Sequence, residues 1–83
     1  MNLNKDFINF LKSSGFFLTS NPEIYEYINK ENKKYRVSFK KHLNEYFYFF
    51  NIFNCDGDLE FAQFTESLDC FILQIKEKLN FKF

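Results

Sequence analysis

His42, Cys55, Cys70 and the acidic pair flanking Gly57 are the residues whose types could do chemistry in this chain. A histidine acts as a general base only when a nucleophile or a carboxylate is held within hydrogen-bond reach. His42 is the only histidine, sits in a polar stretch beside Lys40 and Lys41, and has no such partner at helical or strand spacing. It reads as a solvated turn residue. Cys55 and Cys70 lack the CxxC spacing of a zinc site and have a single histidine to help them. Cys55 falls beside a turn, and Cys70 reads as a partly buried small hydrophobe near the apolar stripe of a helix. "NCDGD" invites comparison with a calcium loop. With Gly57 at the sixth position, however, Ile52 stands at the first and Gln63 at the twelfth, where carboxylates are required. Gly15 and Gly57 are the only glycines, so there is no phosphate-cradling loop. With no paired carboxylates in a recognisable set either, the sequence points away from an enzyme, and neither a cofactor nor a metal is expected.

The elements that would position any site must come from an 83-residue chain, which allows one domain spanning residues 1–83. A chain this short needs a dense core. Fourteen Phe and five Tyr supply it, each able to remove roughly 150–250 Å² from water. The 46% hydrophobic content lies far from the disordered regime. Two cysteines are too few for a secreted disulfide scaffold, polar residues interrupt the apolar ones from Met1 to Phe17, and no run approaches a membrane span. A cytoplasmic protein with free thiols, in no contact with membrane, is the expectation.

Leu3, Phe7, Phe10 and Leu11, with Ser14 at the margin, share one face of a helix over residues 3–14. Gly15 would take the left-handed position past its end, with Phe16 folding back toward Leu11. Residues 20–34 are ambiguous. Asn21, Pro22 and Glu23 would start a helix well, whereas the β-branched and aromatic residues of Ile24 to Ile28, followed by polar "NKENKK", favour a strand and a hairpin loop. The balance falls on the strand. Residues 35–40 alternate, with Tyr35, Val37 and Phe39 on one side and Arg36, Ser38 and Lys40 on the other. "KHLNE" makes a turn, residues 45–53 form an aromatic strand, and Asp56-Gly57 predicts a two-residue type I′ hairpin. That register sets Ile52 opposite Phe61, Phe50 opposite Gln63 and Asn54 opposite Leu59. Leu68, Phe71, Ile72, Ile75 and Leu79 make the apolar stripe of a helix over 67–80, capped by Ser67 or Thr65. The expected fold is α+β, an antiparallel meander of three to four strands between an N-terminal and a C-terminal helix, in the order α-β-β-β-β-α.

Two layouts of residues 45–53 carry functional weight. Tyr46, Tyr48, Phe50 and Ile52 take one face, and Phe47, Phe49 and Phe53 the other. A strand apolar on both faces is normally covered on both, which would make it a central strand and is the favoured reading. If the helices cover one face only, Phe47, Phe49 and Phe53 become an interface for a partner or for a homodimer.

Charge is segregated within a net charge of zero. Lys30, Lys33, Lys34, Arg36, Lys40 and Lys41 fall in a stretch whose only acid is Glu31, and Glu45, Asp56, Asp58, Glu60, Glu66 and Asp69 in one with no basic residue. Each half could be a solvated face. The basic ridge, with Tyr25, Tyr27 and Tyr35 beside it, could instead meet phosphates and stack bases. The acidic half would suit a basic groove on a protein.

In size, ring-rich core and split charge the whole chain resembles the small inhibitors carried by phages and mobile elements, anti-CRISPR proteins among them. The resemblance implies a non-catalytic binding protein whose partner is a nucleic-acid-handling effector or its guide RNA. The alternative is a stand-alone RNA- or DNA-binding domain using residues 30–41.

Overall fold

A computed structural model describes residues 5–79. Its first element is helix α1, Lys5–Ser13, in which Phe7 and Leu11, one turn apart, are buried. Leu3, expected to open this stripe, lies outside the described residues. The helix stops at Gly15, whose φ of +100° is open to glycine. The Phe16 N–H donates to the Leu11 carbonyl at 2.9 Å and the Gly15 N–H to the Lys12 carbonyl at 3.1 Å. This paired closure turns Phe16 inward to join Leu11 in the core.

Five strands follow: β1 Phe17–Leu18, β2 Ile24–Ile28, β3 Lys34–His42, β4 Glu45–Phe53 and β5 Leu59–Thr65, before helix α2, Leu68–Lys78. They form one antiparallel sheet in the order β1-β2-β3-β4-β5. The fold is α+β with a helix at either end of a meander, as its sequence implies, with one strand more than expected. The extra strand, β1, is too short to leave a periodic signal. Asn21 and Pro22 do not start a helix. The Ile24 N–H reaches back to the Asn21 carbonyl at 3.0 Å, the Asn21 side chain takes the Glu23 N–H at 2.9 Å, and Pro22 occupies the turn position that its fixed φ suits.

The β3–β4 hairpin turns on Leu43 and Asn44 alone, with His42 paired to Glu45, so His42 ends a strand and is not a turn residue. Leu43 carries φ 58° and is 83% exposed. A branched apolar residue held in the left-handed region is strained, by about 1–3 kcal/mol.

The β2–β3 and β4–β5 hairpins share one design. In each, an asparagine side chain accepts two backbone N–H groups at 2.9 Å: Asn29 from Glu31 and Lys33, Asn54 from Asp56 and Asp58. Three positions on, Asn32 (φ 63°) and Gly57 (φ +89°) take the left-handed conformation. This corrects the type I′ expectation. Only Gly57 of the Asp56-Gly57 pair has positive φ, and Asn54 bonds to Asp58 across a three-residue loop. The longer loop would slip the register by one. A bulge between Ile52 and Phe53, opposite Glu60, restores it, so Ile52 still faces Phe61 and Phe50 still faces Gln63. Leu59 sits opposite Phe53, not Asn54.

Helix α2 is capped by Ser67, whose hydroxyl accepts the Cys70 N–H at 3.3 Å. Phe71 and Ile75 are buried, while Leu68, Ile72 and Leu79 pack half-buried around them. Residue 80, the expected last position of this helix, lies outside the described residues. Cys70 is exposed, which corrects its expected partial burial: it faces away from the Phe71–Ile75 stripe.

Both helices lie on the same face of the sheet. The Phe71 ring is 5.8 Å from Phe7 of α1, 5.0 Å from Tyr48 and 6.4 Å from Phe50. Tyr25, Tyr35, Val37, Tyr48, Phe50 and Ile52 complete this core from the sheet side. The favoured expectation for β4 holds in part: it lies inside the sheet, paired to β3 on one side and β5 on the other, but no described helix covers its Phe47 side.

Candidate functional site

The uncovered face is built by the register of β2 to β5. Its rows run Ile24–Ser38–Phe49–Phe64, then Glu26–Arg36–Asn51–Ala62, then Ile28–Lys34–Phe53–Leu59, with Lys40 beside Phe47. Phe47 and Phe49 flank Phe64 at ring-centroid distances of 5.7 and 5.3 Å. Phe64 itself is 51% exposed. These three rings form a contiguous apolar patch; Phe17, Ile28 and Leu59 are further exposed apolar side chains of the sheet, set apart from it.

Phe53, the third expected interface ring, stands apart from this patch. The Arg36 guanidinium lies 5.0 Å from its centroid, and Arg36 Nε donates to Glu26 Oε2 at 2.8 Å. Arg36 is thus already engaged on both sides. Beside it, Asn32, Lys34, Phe53, Asn54, Cys55 and Gly57 surround a shallow hollow of about 260 Å³. This falls short of the roughly 300–1,000 Å³ of small-molecule sites.

The six basic residues do not form the single ridge expected of them. Lys33 is bound to Glu60 at 3.0 Å, and that contact raises its pKa above the ordinary lysine value. Lys34, Arg36 and Lys40 line the uncovered face along β3, Lys41 takes the opposite side, and Lys30 stands in the β2–β3 turn. From Lys34 to Lys40 the strand runs about 20 Å. The rings expected to accompany them are elsewhere. Tyr25 and Tyr35 are buried under the helices, and Tyr27 packs on Tyr35 and Phe16. The rings that do share a face with Lys34, Arg36 and Lys40 are Phe53, Phe49 and Phe47 on β4.

His42 is exposed, its ring 6.5 Å from that of Phe47. Cys55 is an exposed free thiol. Among the described residues no three His, Cys, Asp or Glu side chains gather as a metal site would require. No described helix is long and apolar enough to cross a membrane.

Phe64 is the functional candidate that sequence reasoning missed. Its signal was present, since the register that sets Phe50 against Gln63 also sets Phe49 against Phe64. The exposed tip at Leu43 had no such signal, because nothing in "KHLNE" marks a strained leucine.

No protein-family model, curated protein or solved structure matches this chain.

Proposed function

We propose that this protein is a non-catalytic binding and inhibitor protein that lays the uncovered face of its sheet against a protein partner. The observation that carries the reading is the Phe47–Phe49–Phe64 patch on a face that no described helix covers. Rings at the centre of an interface and charges at its rim are the usual anatomy of a protein contact. Lys34, Lys40 and Glu45 supply such a rim. The segregated charge supports a partner with a nucleic-acid channel, as for phage and mobile-element inhibitors of anti-CRISPR type. The acidic β4–β5 hairpin suits the basic wall of such a channel.

The test is a double substitution, Phe47→Ser with Phe64→Ser, in the full chain. It is expected to keep the circular dichroism spectrum and to lose capture of the effector. Retained capture by a folded double variant would move the interface off this face.

A second reading is favoured by one feature, the row of Lys34, Arg36 and Lys40 lying beside the row of Phe53, Phe49 and Phe47. Rings two residues apart in a strand are about 7 Å from each other. Such a face could stack bases while lysines meet phosphates. In this reading single-stranded RNA shifts in a gel at low salt and releases as salt rises. Engagement of Arg36 by Glu26 and the zero net charge favour the protein partner.

A further inference from the structure

The sheet has two edges, and they differ. Strand β1 is a two-residue edge. Strand β5 is a seven-residue edge, Leu59–Thr65, with no neighbour beyond it in the sheet among the described residues. Successive residues of an edge strand aim their N–H and C=O groups alternately at the neighbouring strand and away from it, so β5 presents an unpaired ladder. Edges of this length are ordinarily blunted by lysine, by proline or by a covering element. Strand β5 contains neither residue, and Ala62, Gln63 and Phe64 at its centre are all exposed. Its one irregularity, the bulge at Glu60, lies at its start.

The chemistry of the edge narrows the occupant. Alternating backbone donors and acceptors at strand spacing are matched only by another extended segment. Charge decides which. Asp56 and Asp58 stand before β5, and Glu66 and Asp69 after it. None of these four makes an ion pair among the described residues. A second copy of the chain would bring the same acids against them. On the uncovered face, Ala62 is the small side chain of β5 between the larger Leu59 and Phe64, both exposed.

We infer that β5 takes up an extended, lysine- or arginine-rich segment of the protein partner as an added strand, an apolar residue of that segment resting on Ala62. This rests on the protein-partner reading above and names the segment that such a partner contributes. The added strand would continue the sheet past Phe64, so its side chains would join the patch of Phe47, Phe49 and Phe64.

The experiment uses the full chain and two octapeptides, one alternating lysine with valine and one alternating glutamate with valine. Backbone amide exchange is followed residue by residue. The lysine peptide is expected to slow alternate amides of β5 several-fold, with an effect that weakens in high salt, while the glutamate peptide leaves them unchanged. The exposed double variant Asp58→Lys with Glu66→Lys is expected to reverse that preference. The inference falls if neither peptide slows exchange in β5, if both do so equally, or if the double variant keeps the original preference. It also falls if β5 is protected without peptide while sedimentation shows a dimer, since the occupant is then a second copy. The two proposals fail separately. Loss of effector capture on replacing Phe47 and Phe64, with no peptide effect at β5, leaves the face and removes the edge. Peptide protection at β5 with capture retained does the reverse.

Discussion

Tyr48, Phe50 and Ile52 on one side of β4, and Phe47, Phe49 and Phe53 on the other, are near-equals in size and hydrophobicity, yet only the first three are buried. The first set meets Phe7, Phe71 and the rest of a two-helix layer. Among the described residues, the second set has ring and cation contacts with its sheet neighbours. Ring content therefore does not report burial in this strand. An apolar face left open is costly in solubility unless it has use, and that asymmetry makes the uncovered face the functional candidate.

The comparison can be broken most forcefully at Phe50 or Phe71, both fully buried. Replacing either with Ala should cost about 3–5 kcal/mol, a large part of a total near 5–15. Urea titration followed by circular dichroism would show it. The matching change on the other face, Phe47→Ala, removes a half-buried ring and should cost well under half as much. Equal losses at Phe47 and Phe50 would mean that the uncovered face is covered in solution, as in a dimer, and sedimentation would then show two chains.

A smaller effect separates the twin turns. At Gly57 an added methyl meets no neighbour within 4 Å, so Gly57→Ala tests the backbone alone. With φ +89° it should cost about 1–2 kcal/mol. The counterpart Asn32→Gly relieves a φ of 63° and should be neutral or mildly stabilising in the same titration. Asn54→Ala removes the acceptor for two N–H groups and should cost about 1–2 kcal/mol, with Asn29→Ala close to it.

The smallest effect is a pH dependence confined to the buried side. Burial raises the Tyr48 pKa above the ordinary value of 10.0, with the nearby Tyr46 adding to the shift. The unfolded chain thus loses this proton first. The stability contributed is complete below pH 10.0 and is lost as pH rises from there through the folded-state value. Tyr48→Phe should make the alkaline fall in melting temperature shallower. An equal fall in the variant would place the responsible group elsewhere.

Much of the fold was legible because it rests on local rules. Strand β4 falls at 45–53 as its residues imply, since both of its neighbours end in turns. Gly15 and Ser67 mark their helix ends by backbone chemistry that one residue suffices to specify. The Asp56-Gly57 turn was legible in place but not in type, because a glycine serves a two-residue loop and a bulged three-residue loop equally. The basic ridge failed for a different reason. A count of lysines along the chain says nothing of Glu60, 27 positions from Lys33 yet 3.0 Å from it across the sheet.

By itself the sequence determined which residues share a face. Alternation in β3 and β4 and the helical stripes through Phe7 and Phe71 follow from the geometry of a single element, whatever surrounds it. It did not determine which face of β4 the helices would take, because both faces are apolar and transfer from water favours burying either. That choice was made by the connections. Gly15 and Phe16 turn α1 back, and the Thr65–Ser67 corner turns α2 back, onto one and the same side of the sheet. Once Phe7 and Phe71 had packed against each other over Tyr48, no helix remained among the described residues to cover Phe47, Phe49 and Phe64. The free edge at β5 has the same origin, since only the assembled order of the strands decides which of them lacks a neighbour.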